Sequence, residues 1–466
     1  MAFFATPPSR PDRGTKSETI KIDSMNKYLF ILGFAGMALF SACSTSDELA
    51  ADIPIPSPGL TEEEKALIVE AGKDSDVPIT LGTVANSRAT TRLPIDSDDG
   101  TNLFETPDGQ YLGVFCLARG KQEGAPDFIG DDVKWSTAYA SSFPYANWKD
   151  NVPAKVVKYD NDPSSPIKGG EDKKYSYVQF MKDDLSDTKV YYYPFGNWYY
   201  YDFYAYYPRQ ASVTTNAESC SVRYEIDGSQ DIIWGQALGG NQSVVDMATS
   251  TTVKAYSSKY LRLRKENISG TDYDVVPGLT FNHKLTQFTF SVKAHDATHA
   301  AQLYTKEFKL KSLKLLNVYK KLQLIIASKD DNLTAGELSI YDTSSTSYGD
   351  ISVKNATDDS DPLSTSISVA TAADDVDPKG VGYVIVPSSE MIAGKTHDKY
   401  LVSIELEQRS GEEVPNTIIQ LTPPAGGFLA GSKYQITIDI YNPMEIQATA
   451  TLLDWENEAE TVIGVD

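Results

Sequence analysis

From Val77 onward, the chain is a succession of short segments in which apolar and polar residues alternate, and no other feature constrains the fold as strongly. Alternation with a period of two is typical of a β-strand that buries one face. The segments are rich in β-branched and aromatic residues, and glycine, proline, asparagine and aspartate separate them. The first series comprises VPITLGTV, QYLGVFCLA, SYVQFM, KVYYYPF, YYYDFYAYYP, SVRYEIDG and QDIIWGQA.

A small, polar stretch at residues 238–258 is predicted to be a linker, and a second series of strands follows it. That series runs from LTFNHKLTQFTFSVKA through VGYVIVPS and YLVSIELEQ to YQITIDIY and IQATATLL. Long helical periodicity is absent from both series. The two series therefore predict an all-β chain with tandem β-sandwich domains at residues 77–260 and 261–466. The FNHKL strand is compatible with either half.

The N-terminal region has the pattern of an export signal. A basic segment begins at Met25, which we expect to be the true start, and an apolar run of about fifteen residues follows, too short to span a bilayer comfortably. Small residues then precede Cys43. This arrangement resembles a bacterial lipobox, which implies that residues 1–42 are removed and that Cys43 is lipidated. A plain secretory signal with a chance cysteine is the alternative. Residues 43–76 form a polar N-terminal segment.

Charge and motifs argue against several function classes. The chain has 64 acidic and 42 basic residues and a formal charge of -22, so it repels nucleic acid. No H-E-x-x-H, G-x-S-x-G or P-loop motif occurs. His295 and His299 have the i, i+4 spacing that would suit a metal only on a helix. We therefore predict no catalytic residues, no cofactor and no metal site, and a protein that is not an enzyme.

The three cysteines do not form a disulfide framework. Beyond Cys43, only Cys116 and Cys220 remain, and one pair in so long a chain is a weak signal. Cys116 lies in an apolar run and is predicted to be a core residue. A Cys116–Cys220 disulfide is left open.

The aromatic stretch YYYDFYAYYP presents two faces if it is a strand. Alternation places Tyr200, Asp202, Tyr204 and Tyr206 on one side. The opposite side carries residues 199, 201, 203, 205 and 207. Core packing is the favoured interpretation of these rings, and an exposed tyrosine platform for sugars is the alternative. That alternative would suit a surface glycan-binding lipoprotein.

Several segments together resemble the fimbrillins, the pilus subunits of Bacteroidales. The resemblance spans most of the chain from Met25 to its end. The matching features, in order, are the lipobox at Cys43, a first strand followed by arginines, DFYAYYP at 202–208, LTFNHKL at 279–285, VGYVIVPS at 381–388, FLAGSKYQITIDIY at 428–441 and the late Trp455.

The resemblance implies two transthyretin-like Greek-key β-sandwich domains. It also implies a structural or adhesive subunit of a cell-surface fimbria, whose precursor reaches the outer membrane as a lipoprotein and touches the membrane only through its lipid. An arginine-specific protease then removes the first strand, and another subunit supplies a replacement by strand addition. Other fimbrial subunits are thus the expected partners, and a host or bacterial surface ligand is a further one.

These expectations can be placed on the sequence. The removable strand would be residues 77–84, and cleavage would follow Arg88 or Arg92 in the small, polar segment ANSRATTR. The alternative is that both arginines are ordinary loop residues. The donor strand would come from residues 445–466, although IQATATLL can equally be the last strand of its own domain.

Overall fold

Seven strands close into a barrel in the first part of the chain, as seen in a computed structural model. The structure describes residues 76–84, 106–107, 109–123, 150–158, 176–193, 198–215, 219–239, 242–267, 277–328, 332–355, 360–410 and 414–453. The barrel strands are β1 (Gly82–Val84), β2 (Leu112–Lys121), β3 (Val152–Lys158), β4 (Ser176–Phe180), β5 (Tyr199–Tyr207), β8 (Ile233–Ala237) and β11 (Gly278–His283). Their order around the barrel is β1-β11-β8-β5-β2-β3-β4. The side chains inside it, among them Leu112, Val114, Phe203 and Leu279, are called the barrel core.

A four-stranded sheet lies against the outside of the barrel. Its order is β15-β14-β7-β6, from the strands β6 (Thr214–Thr215), β7 (Ser219–Glu225), β14 (Lys321–Ser328) and β15 (Leu338–Ile340). Between this sheet and strands β2, β5 and β8 lies a second apolar cluster, the middle cluster, which includes Phe115, Tyr206, Val222, Trp234 and Leu324. Because β7 pairs antiparallel with β14, the sheet joins residues from both predicted halves of the chain.

Two further sheets pack face to face in the second part of the chain. One has the order β18-β12-β21-β22, from β12 (Thr286–Ala294), β18 (Lys379–Val386), β21 (Ser432–Asn442) and β22 (Glu445–Leu453). The other has the order β16-β13-β19-β20, from β13 (Lys309–Tyr319), β16 (Tyr348–Ser352), β19 (Leu401–Glu407) and β20 (Thr417–Gln420), with β17 (Ile367–Ser368) also paired to β13. Phe288, Leu313, Ile404 and Ile436 belong to the sandwich core between them. The predicted all-β class is confirmed.

The predicted linker at 238–258 is wrong, because most of it, from Ser243 onward, belongs to a hairpin and the start of a helix. Strands β9 (Ser243–Asp246) and β10 (Thr251–Lys254) form an antiparallel hairpin, and helix α1 (Ser258–Asn267) follows directly. Two more helices, α2 (Ala297–Thr305) and α3 (Ser389–Ile392), interrupt the second strand series. In the described residues, no helix has the length and hydropathy needed to cross a membrane.

One predicted strand run divides between two sheets. LTFNHKLTQFTFSVKA becomes β11 in the barrel and β12 in the sandwich. At the break, the Lys284 amide donates to the Ile232 carbonyl at 2.8 Å, and Leu285 enters the middle cluster. The FNHKL strand thus pairs within the barrel, which draws on residues from both sides of position 260. The boundary at 260/261 itself stays a prediction.

The two described cysteines lie in different apolar clusters, and no disulfide joins them. Cys116 faces the barrel core, while Cys220 faces the middle cluster. Burial raises the pKa of the Cys220 thiol to about 12, because the surrounding apolar side chains disfavour the charged thiolate.

This burial predicts that Cys220 resists alkylation in the folded protein. The thiolate is the reactive species, so iodoacetamide at mildly alkaline pH is expected to leave Cys220 unmodified until the chain is unfolded. Peptide mapping by mass spectrometry measures the modification at each cysteine, and the same reaction in guanidinium is the control. Equal labelling rates in the folded and unfolded chains would contradict the described packing.

Candidate functional site

The segment that leads into β1 fills part of the barrel core. Ile79 and Leu81 are 4% and 0% exposed, and Val77 packs against the same cluster. The three apolar residues lie two apart and share one face, as the alternation in VPITLGTV predicts. The segment is therefore an integral part of the barrel rather than a surface appendage.

Backbone hydrogen bonds hold this segment along its length. The Ile79 amide donates to the Tyr191 carbonyl at 2.7 Å, and the Tyr193 amide donates to the Val77 carbonyl at 3.2 Å. Further along, the Val178 amide donates to the Leu81 carbonyl at 2.9 Å. The segment is thus paired strand-like to residues 191–193 before β1 itself begins.

Strand β1 closes the barrel between β4 and β11. It runs antiparallel to β4, with Gly82 opposite Tyr177, and parallel to β11, with Gly82 opposite Gly278. The Thr83 hydroxyl donates to the Ser176 carbonyl at 3.2 Å. We call the space that residues 77–84 occupy the β1 slot. Emptying it would unpair two strand edges and uncover apolar side chains, a combination that favours addition of another strand.

Helix α1 lies beside Asp76, the residue that directly precedes the β1 slot. Its Tyr260 and Leu261 side chains are buried in the barrel core. On its exposed side, Arg262 Nη1 lies 2.5 Å from Asp76 Oδ1, on the residue directly before Val77. The sequence pattern did not predict this helix, whose residues SKYLRLRKEN show only weak amphipathic periodicity.

Strand β5, the tyrosine-rich segment, is buried on both faces. Tyr199, Tyr201 and Phe203 point into the barrel core, whereas Tyr204 and Tyr206 point into the middle cluster. Core packing is therefore the correct interpretation of these rings. They do not form an exposed platform for sugars.

A carboxylate on β5 is held as part of the structure. Asp202 is largely buried, and it accepts hydrogen bonds from Arg119 at 3.0 Å and from the Gly239 amide at 2.9 Å. Burial raises the pKa of Asp202, although both hydrogen bonds oppose that shift. The two donors offset the free-energy cost of burying this carboxylate among aromatic side chains.

The described histidines contact neighbouring side chains. His283 Nδ1 lies 2.5 Å from Asp231 Oδ2 in a buried pair. The His295 ring stacks on Tyr441 with centroids 3.9 Å apart, and His299 lies on α2 with Nδ1 2.7 Å from Asp296 Oδ1. Among the described residues, no group of three or more His, Cys, Asp or Glu side chains is arranged to hold a metal ion.

The predicted processing residues Cys43, Arg88 and Arg92 lie outside the described residues. The predicted donor segment 445–466 is described only as far as Leu453. Residues 445–453 form β22, which pairs antiparallel with β21 along its length. Ile446 is 9% exposed in the sandwich core, whereas Leu452 is 56% exposed.

Solved structures that resemble this chain include several bacterial proteins described as fimbrial or as cell adhesion proteins. A protein from Bacteroides ovatus assigned to cell adhesion is 13% identical, with a TM-score of 0.41, over 82% of this chain and 99% of that one. The tip fimbrial protein Mfa3 from Porphyromonas gingivalis is 10% identical, with a TM-score of 0.32, over 81% and 100%. A fimbrial assembly protein from Parabacteroides distasonis is also 10% identical, with a TM-score of 0.32, over 81% and 98%. A search of curated proteins returns no match.

A match to a family sequence profile identifies the family of this chain. The profile described as fimbrillin-like matches residues 141–455, which is about two thirds of the chain and includes most of the barrel and the whole sandwich. The chain therefore belongs to the fimbrillin-like family, which comprises structural subunits of cell-surface fimbriae and not enzymes.

Proposed function

We propose that this protein is a structural or adhesive fimbrial subunit that is exported as a lipoprotein and assembled by protease-triggered strand exchange. The observation that carries the proposal is the β1 slot. Residues 77–84, which end in β1, complete the barrel, and the candidate cleavage sites Arg88 and Arg92 follow them in the sequence.

Cleavage would turn this strand into a separate, exchangeable peptide. While the chain is intact, residues 77–84 are tethered to the barrel and refill the slot whenever they leave it. After cleavage the strand can diffuse away, and each unpaired backbone group left behind costs about 1–3 kcal/mol. A strand from a second copy would recover this free energy.

The proposed donor lies in the C-terminal tail. Residues 445–453 complete their own sheet as β22, so donating them would uncover Ile446 and part of the sandwich core. Residues 454–466 follow that strand and contain the apolar group of Val462, Ile463 and Val465. We therefore assign the donor role to residues 454–466 within the tail.

The alternative of a glycan-binding lipoprotein has less support. It required exposed aromatic rings, and those of β5 are buried. Among the described residues, the large exposed side chains include two tyrosines, Tyr304 and Tyr341. No specific observation favours this alternative.

Limited digestion of the full chain with Cys43→Ala, which removes the lipid acceptor, tests the proposal. Trypsin is expected to create a new N-terminus at Ala89 or Leu93, and SDS-resistant ladders should follow. The control variant, with Arg88→Gln and Arg92→Gln, should give neither. A new N-terminus accompanied only by monomer in SDS would overturn strand exchange.

A further inference from the structure

We propose that strand β22 pairs edge to edge with β22 of a second copy of this chain, antiparallel and about a two-fold axis at Thr449. The contact would join the sandwich sheets of two subunits into one continuous sheet. It uses neither the β1 slot nor proteolytic cleavage. The inference therefore goes beyond the proposed strand exchange and adds a second, lateral contact between subunits.

Strand β22 is a long sheet edge. It has nine residues and pairs with β21 on one side, and no strand among the described residues pairs with its other side. The edge strands β6, β15 and β20 are shorter, with two, three and four residues. Proteins commonly protect an exposed edge by short length, lysine or proline. Strand β22 contains neither lysine nor proline, and its one charged residue is Glu445.

The opposite edge of the same sheet is covered. On β18, the Tyr383 amide donates to the Lys354 carbonyl at 2.9 Å, and the Lys354 amide donates to the Tyr383 carbonyl at 2.8 Å. The Ile385 amide donates to the Gly228 carbonyl at 2.8 Å. The sheet can therefore accept a further strand along β22 but not along this part of β18.

The core-facing side of β22 is incompletely covered towards its end. Leu452 lies opposite Tyr434 in the ladder, and residues directly opposite each other share a face of the sheet. Tyr434 is 1% exposed, whereas Leu452 is 56% exposed. In an antiparallel pair centred on Thr449, Leu452 lies opposite Ile446 of the second copy. The pairing would therefore give this exposed leucine an apolar neighbour.

The same register brings opposite charges together on the outer face. It places Glu445 opposite Leu453 of the second copy, and Leu453 lies beside Lys433 on β21 of its own copy. Glu445 and the second copy's Lys433 are then two strands apart, about 10 Å between Cα atoms, which their long side chains can span. Lys433 need not give up any present contact. The two-fold axis makes the approach twice.

A register shifted by two residues loses both features. With the axis at Ala448, Glu445 would lie opposite Thr451, whose neighbour on β21 is Gln435 rather than a lysine. Only residues 445–451 would pair, so Leu452 would lie beyond the end of the partner strand. Charge and apolar contact thus favour the axis at Thr449.

Disulfide cross-linking of the intact chain tests the axis without any protease. In the Cys43→Ala background, the described cysteines Cys116 and Cys220 are buried and do not compete. At the axis, Thr449→Cys places two thiols within the Cα separation of about 4.4–6.8 Å that a disulfide needs. Mild oxidation should therefore give covalent dimers. The matched control is Thr451→Cys on the same face, whose two copies would lie about 13 Å apart along the strands.

Mixing two variants reads the register directly. Gln447 of one copy lies opposite Thr451 of the other in the proposed pair. Gln447→Cys alone and Thr451→Cys alone should stay monomeric on oxidation, whereas an equimolar mixture of the two should give covalent dimers. Cross-linking of Thr449→Cys no greater than that of Thr451→Cys alone would overturn the inference.

Sedimentation of the intact chain measures the dimer without cross-links. The Cys43→Ala chain should dimerise reversibly, and Leu452→Lys should abolish the dimer. Val376→Lys, at an exposed apolar residue just before β18, should not. Circular dichroism checks that each variant folds. A chain that remains monomeric at every concentration would overturn the inference.

The charge contact is tested by reversal. Glu445→Lys should raise the dimer dissociation constant about fivefold at low salt, with a smaller effect at high salt. Adding Lys433→Glu to the same chain should restore the affinity, because the opposite charges then meet again in exchanged positions. A dissociation constant that Glu445→Lys leaves unchanged at low salt would overturn the proposed register.

Discussion

Replacing Leu81 by alanine is expected to lower the free energy of unfolding of the intact chain by about 2–5 kcal/mol. Leu81 is fully buried in the barrel core, so the truncated side chain leaves a cavity there. Denaturant unfolding followed by circular dichroism measures the change. The control is Thr80→Ala, one residue away on the opposite, half-buried face, and its expected cost is below about 1 kcal/mol.

Leu81→Ala also tests whether residues 77–84 leave the β1 slot during assembly. If the strand is released by proteolysis, position 81 is absent from the assembled fibre, and ladders built from Leu81→Ala chains should resist SDS as well as those of the unmodified chain. The substitution should also speed release of the cleaved strand. A ladder weakened by Leu81→Ala would mean that residues 77–84 remain in the slot after assembly.

The sequence predicts the strands well where one face is buried. In VPITLGTV, the alternation correctly groups Ile79 with Leu81. In β5 it also divides the aromatic side chains correctly between two faces. It does not reveal that both faces are covered, because tyrosine is compatible with either a buried or a half-exposed surface.

What the sequence could not supply is the choice of pairing partners. The continuous pattern of LTFNHKLTQFTFSVKA contains no glycine or proline at the point where β11 leaves the barrel and β12 enters the sandwich. That division depends on long-range contacts, such as the bond from the Lys284 amide to Ile232. Likewise, the pairing of β7 with β14 joins segments about a hundred residues apart, which local periodicity does not encode.

The candidate site was predictable in part. The strand at 77–84 has a clear alternating pattern, and its position before two arginines is visible in the sequence. The ion pair between Asp76 and Arg262 could not be predicted from the sequence, because the two residues are far apart in the chain. Arg262 also lies on α1, which falls just after a segment that was interpreted as a linker. Helix α1 is short and half of its surface is charged, so its periodicity is weak.

Trp234 joins the barrel to the neighbouring sheet through both packing and a hydrogen bond. It extends from β8 into the middle cluster, and its indole N–H donates to the Ile326 carbonyl on β14 at 2.8 Å. Gly336 lies so close that a Cβ there would meet the indole ring at 2.6 Å, and its φ of +81° also favours glycine. The ring therefore fills its site without room for a larger neighbour.

Replacing Trp234 by alanine is consequently expected to cost about 3–5 kcal/mol, since it removes a large buried ring and leaves a carbonyl unpaired. Trp234→Phe keeps most of the apolar area and loses the hydrogen bond, so its expected cost is about 1–3 kcal/mol. Denaturant titration followed by far-ultraviolet circular dichroism measures both. Because the middle cluster contacts the barrel, the β7–β14 sheet and β18, the unmodified chain should unfold in one transition that shifts as a whole in Trp234→Ala. Two separate transitions, of which only one moves, would show that the middle cluster does not couple these sheets.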